Sequence, residues 1–170
     1  MGQLHRKGWN AMKAISFNFD NVGGMSRLYL IDVKGLQRVD TNATDGRVRP
    51  VLANDARVYN IEVYGGDAFQ FSENMTLEDG GEAFAVSISG FIPRLDNLVT
   101  VTELERGEWI AVHRDANGTI LMSGTREVPL RFVTSKSTGT PATRNATAFT
   151  LQATEPEASK VVGDEVLQLE

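Results

Sequence analysis

Apolar and polar residues alternate along most of this chain with a period of two, and the alternation is broken at short intervals by glycine, asparagine and proline. A period of two places successive side chains on opposite faces of a strand. The pattern predicts strands over residues 27–33 (RLYLIDV), 58–64, 68–71, 83–91, 98–104, 109–114, 120–122, 130–134 and 146–153. Between them stand Gly65-Gly66, Asp79-Gly80-Gly81, Pro93, Arg106-Gly107, Asn117-Gly118, Gly124 and the stretch 137–141. Short strands punctuated this evenly indicate an all-β fold with minor helix, an antiparallel sandwich or barrel, rather than βαβ units. Helix is expected only near the start and over 156–160.

The sharpest local signal is WIAVHRDANGTILM, residues 109–122. Apolar residues alternate on both sides of an Asn-Gly pair, which marks a hairpin. Trp109, Ala111 and His113 take one face, Ile110 and Val112 the other. With 98–104 joined through the polar turn after Glu105, residues 98–122 read as a three-stranded meander.

Two regions lack this regularity. Residues 1–25 are mixed in period and read as an N-terminal arm, with a short helical turn or a first strand over 14–19. Residues 34–57 carry few large apolar side chains and several turn formers, and 24 residues is long for a connection inside a compact domain. That stretch is expected to be a long loop that orders against a partner. One β domain of 170 residues results, with 1–25 as the arm, 34–57 as an inter-subunit loop, 58–153 as the β-core and 154–170 as a C-terminal extension.

Charge and composition narrow the chemistry. The formal net charge is −5, and no run of like charges suggests a DNA-wrapping or membrane-surface role. Cysteine is absent, which removes disulfides, thiol nucleophiles and Cys-based metal sites. The first residues lack the apolar core of a signal peptide, no later stretch has the length of a membrane span, and Arg6 stands where a myristoylation signal wants Ser or Thr, so a soluble, unexported protein is expected. Four Asn-x-Thr triplets, at Asn42, Asn74, Asn117 and Asn145, are accounted for by turn chemistry.

Candidate catalytic groups each meet a simpler account. Glu103 and Glu105 on one strand face would lie about 7 Å apart, a glycosidase-like spacing, but nothing nearby would desolvate either carboxyl. Asp115, Asn117 and Gly118 resemble the start of a calcium loop, yet the twelfth position is Arg126 rather than Glu. His5 and His113 are far apart, and His113 beside Arg114 reads as a surface or interface residue. Ser87-Ile88-Ser89-Gly90 lacks the nucleophile elbow, and the glycine doublets do not form a phosphate loop. Tyr64, Phe69 and Phe71 read as core aromatics. No enzyme activity, metal or cofactor is expected.

Three segments, AFAVSISGFIPRL, LERGEWIAVHRDANGTILMSGTREVPLRF and STGTPATRNATAFTLQA, together resemble the β-core of small bacteriophage tail or neck proteins, including tail-tube subunits. That resemblance implies a non-enzymatic virion protein, assembled in the host bacterial cytoplasm, whose sheet joins its neighbours' in a homo-oligomeric ring, commonly six-fold. DNA passes through the ring, and other virion proteins stack on it. The acidic balance suits a wall along which a polyanion must slide, because Lys and Arg would retain it. In that setting Arg47, Arg49 and Arg57 are candidates for ion pairs with Glu78, Asp79 or Glu82 of a neighbour, and Glu103, Glu105 and Glu108 are lumen candidates. Two alternatives stay open: a tube component of a contractile injection system, and a monomeric β-sandwich binding carbohydrate or protein.

Overall fold

A computed structural model describes residues 23–62, 69–78, 80–93, 98–137 and 146–163. Among the described residues, eleven strands form three antiparallel sheets, accompanied by one α-helix and a short 3-10 turn over Val33–Gly35. The first sheet has the order β11-β8-β7-β1-β4 and is built from β1 (Met25–Asp32), β4 (Val58–Ile61), β7 (Trp109–Asp115), β8 (Ile120–Ser123) and β11 (Lys160–Val161). The second, β5-β6-β10-β9, comprises β5 (Gln70–Glu78), β6 (Gly81–Pro93), β9 (Arg131–Ser137) and β10 (Ala146–Glu155). The third is the hairpin of β2 (Leu36–Thr41) and β3 (Val48–Leu52). The all-β reading with minor helix therefore holds.

The five-stranded sheet lies in the middle. Its odd and even positions enter different cores: Leu28, Leu30, Trp109 and Ala111 pack with Ile88, Phe132, Phe149 and Leu151 of the second sheet. Tyr29, Ile31, Ile110 and Val112 pack instead with Leu36 and Val48 of the hairpin. Burial on both faces makes β7 apolar at successive positions, as the two-sided alternation of Trp109 to Val112 requires.

Residues 34–57, expected as a loop, instead supply this hairpin. Leu36 and Val48 are only 5% and 4% exposed. The turn is closed by side chains: Asn42 Oδ1 accepts from the Thr44 N–H, Asp45 Oδ1 accepts from the Arg47 N–H, and Gly46 takes φ of 72°. The hairpin was hidden because only one face is buried and Pro50 interrupts β3, a position tolerated on an edge strand.

The meander over 98–122 is also corrected. Leu98–Arg106 is a helix, α1, followed by the β7–β8 hairpin. Val101 and Leu104, three apart, are buried, whereas the Thr and Val content had suggested a strand. Tertiary contacts override that propensity: the Trp109 indole N–H donates to the Leu104 carbonyl at 2.8 Å. Gly107 lies so close to the indole that a Cβ there would meet Trp109 Cζ2 at 2.3 Å. Residues 156–160, expected as a helix, bend and enter β11. The expected strand or turn over 14–19 lies outside the described residues.

Because the hairpin forms part of a core, Leu36→Ala should lower unfolding free energy by about 2–3 kcal/mol. A shift of that size in urea denaturation, with unchanged slope, checks it; a loop position would give less than about 0.5 kcal/mol.

Candidate functional site

The nominated arginines are engaged within the chain. Arg57 Nη2 lies 2.7 Å from Asp32 Oδ2, and Asp32 also accepts from the Lys34 N–H, so this pair fixes the exit from β1. Arg47 lies 3.6 Å from Asp45 across the hairpin turn. Arg49 stands opposite Asp40, whose carboxyl is held below its usual range first by the Arg38 hydrogen bond and also by the Arg49 charge. These arginines sit on or beside the hairpin layer. Glu82 is exposed at the far end of β5–β6, opposite Leu77. Glu78 closes that hairpin through its backbone pairing with Gly81, and Asp79 lies outside the described residues.

The three lumen candidates do not share a strand face. Glu103 accepts from the Tyr59 hydroxyl at 2.9 Å, Glu105 accepts from the Thr134 hydroxyl, and Glu108 pairs with Arg131. All lie on α1 or just after it, against β4 and β9. Burial, and then the Glu103 carboxylate, push the Tyr59 hydroxyl above its ordinary range. Tyr59 also meets Trp109 edge-on, with centroids 5.3 Å apart.

His113, expected at the surface, is 2% exposed. It shares its face of β7 with Trp109 and Ala111, and its ring lies 4.5 Å from Phe71 of the opposing sheet. Its Nδ1 is buried without a hydrogen-bond partner among the described residues, beside a cavity of about 300 Å³ that Gly24, Gln70 and Phe71 also line. Burial lowers its pKa to about 4, against the opposing pull of Asp115 and Glu73. Asp115 Oδ1 is occupied by the Asn117 and Thr119 N–H groups, as a hairpin turn demands.

Glu155 escaped notice in the sequence. It is 4% exposed, its Oε1 accepts from the Gly124 N–H at 2.9 Å, and burial raises its pKa. Its parity with Phe149, Leu151 and Ala153 on β10 was the available signal. The following segment crosses between sheets, held by Glu73 Oε2 accepting from the Ser159 N–H and by a Ser123–Ser159 hydroxyl contact of 2.8 Å. Beside it runs a groove of about 450 Å³ lined by Leu36, Arg38, Met122, Arg126 and Lys160. Among the described residues no group of three or more His, Asp or Glu is placed to hold a metal ion, and no helix is long and apolar enough to cross a membrane.

The least ordinary surface is the outer face of the four-stranded sheet. Pairing registers place Ser72, Asn74 and Thr76 of β5 beside Ala83, Ala85 and Ser87 of β6. The same face continues through Thr150 and Gln152 of β10 to Val133 and Arg131 of β9. Among its described side chains Arg131 is the one charge, and it is paired with Glu108. Charged residues make up 23% of the chain, so a four-strand face with one is depleted. A shallow depression of about 450 Å³ runs between Asn74, Ser87, Arg131, Gln152 and Thr154.

His113 gives a pH dependence with a defined sign. Its folded pKa lies below the unfolded value, so the stability it contributes is present above pH 6.5 and is lost as pH falls towards about 4. The loss should approach about 3 kcal/mol. His113→Leu should remove that slope between pH 7 and pH 4.5 in denaturant titrations, while Glu155, with its raised pKa, pulls in the opposite direction in both proteins. No family model matches this chain, and neither the curated proteins nor the solved structures contain a match to it.

Proposed function

We propose that the chain is a non-enzymatic structural subunit that assembles into a ring, as a bacteriophage tail-tube or head-to-tail connector protein, with DNA passing along the ring wall. The observation that carries this reading is the depleted outer face of the β5-β6-β10-β9 sheet. An exposed antiparallel sheet face ordinarily carries charges, which keep it soluble and deter sheet association. A wall for a sliding polyanion has a different requirement. It must not present Lys or Arg that would hold phosphates by releasing their counterions.

The β9 edge, along which no described strand pairs, has Val133 49% exposed beside it and is available to a neighbour. A head-to-tail contact between unlike patches closes into a ring when its rotation closes. Glu82 remains a contact candidate in such a ring. Arg47 and Arg57 would have to leave Asp45 and Asp32 to reach it, which makes them weaker partners than their charge alone suggests. Virion location and assembly in a bacterial cytoplasm belong to the same proposal. A tube component of a contractile injection system would use the same face.

The depression among Asn74, Ser87, Gln152 and Thr154 favours a second reading, a monomeric module holding a carbohydrate by hydrogen bonds. Light scattering at micromolar concentration, with negative-stain microscopy, separates the two. Rings or tubes are expected. Val133→Lys should weaken assembly at least tenfold while leaving the thermal midpoint within a few degrees. A strict monomer that binds a glycan array overturns the assembly reading.

A further inference from the structure

Glu155 combines features that its structural role leaves unexplained. The side chain is 4% exposed, and its Oε1 accepts from the Gly124 N–H at 2.9 Å. A carboxylate offers roughly four lone-pair sites, and Oε2 has no donor among the described residues. Burial raises the pKa of this carboxyl against the Gly124 hydrogen bond, while the Glu73 charge adds to the rise and Lys160 works against it. A desolvated carboxylate with so little compensation is costly to keep ionised unless a cation or further donors reach it.

The same side chain lines the groove of about 450 Å³ that runs between β2, residues 124–128 and residues 155–160. Leu36 and Met122, both buried, and Val39 and Val128, both half-buried, give that groove an apolar lining. Its walls are held in place by the chain itself. Gly124 takes φ of 87°, and a Cβ there would meet the Trp109 carbonyl oxygen at 2.9 Å, so the backbone that presents its N–H to Glu155 admits no side chain. The Thr125 N–H donates to the Val128 carbonyl and the Val128 N–H to the Thr125 hydroxyl, which closes the loop, and Arg126 straps it to β2 by donating to the Leu36 carbonyl. Walls fixed in advance lower the ordering cost of binding.

Charge decides the class of ligand. Arg38, Arg126 and Lys160 line the groove, and each already has an acceptor within the chain: Arg38 lies 2.8 Å from Asp40, Lys160 lies 2.9 Å from Glu157, and Arg126 holds the Leu36 carbonyl. An anionic ligand would have to compete with these contacts. The Glu155 carboxylate, by contrast, has an oxygen without a donor among the described residues and is buried, where a charge-assisted hydrogen bond is strongest. We propose that this groove binds a small organic ammonium ion with an apolar body, its N–H groups donating to Glu155 and its hydrocarbon lying against Leu36, Val39, Met122 and Val128. The groove shares no residue with the depression on the outer face of the β5-β6-β10-β9 sheet, so the inference is independent of ring formation.

The test uses the full chain with hexylamine, protonated at neutral pH, as the probe and hexanol and hexanoate as matched controls. Titration calorimetry should show saturable binding of hexylammonium, with an affinity at least tenfold above that for either control, and the thermal midpoint should rise with its concentration. Equal affinity for hexanol means that the apolar walls alone retain the chain, and a preference for hexanoate means that the cations hold it; either result, or no binding, overturns the proposal. Glu155→Gln should weaken hexylammonium binding at least tenfold, and unchanged affinity in that variant counts against the carboxylate as the anchor. Ala158→Trp, at an exposed position lining the groove, tests the location without altering the carboxylate. It should abolish binding, and undiminished binding to it places the ligand elsewhere and sinks the site.

Discussion

Burial of the five-stranded sheet on both faces is the constraint on which the rest of the molecule depends. A sheet that is apolar on one side needs one covering layer, but β1 and β7 are apolar at consecutive positions and need two. The four-stranded sheet covers Leu28, Leu30 and Ala111, and the β2–β3 hairpin covers Ile31, Ile110 and Val112. The hairpin's short strands, its Pro50 and its polar turn would not form a stable unit alone. Its apolar face is ordered by the sheet beneath it.

The same constraint sets the electrostatics of the interior. His113 is buried because β7 is central, and with no hydrogen-bond partner for Nδ1 among the described residues the neutral ring is the form the interior tolerates. Glu155 sits where β10 leaves the packed layer, and the Gly124 N–H offsets part of the cost of a buried carboxylate. Glu155 lies at the crossing from one sheet to the other, where the chain must change layers and polar backbone is hardest to satisfy. The lowered pKa of His113 and the raised pKa of Glu155 both follow first from burial.

The outer surfaces divide by charge. The arginines beside the hairpin layer and the carboxylates of α1 are tied into local pairs. The outer face of the four-stranded sheet is small, polar and nearly uncharged. Charge is thus spread over the hairpin layer and α1 but is nearly withheld from the described side chains of this sheet face.

The sequence by itself determined the strands and their facing. Alternation located β1, β7, β8 and β10, assigned Trp109 and Ala111 to one face and Ile110 and Val112 to the other, and identified Asp115 as a turn residue rather than a ligand. These are local properties, fixed by side-chain period and turn chemistry. The tertiary structure alone decided how many layers there are, and therefore that residues 34–57 form a hairpin, that Leu98–Arg106 is helical and that His113 is buried. A threonine- and valine-rich segment satisfies either period over a few residues, and the choice falls to whichever partner buries it. Trp109 made that choice for α1, by accepting Gly107 against its ring and donating to the Leu104 carbonyl.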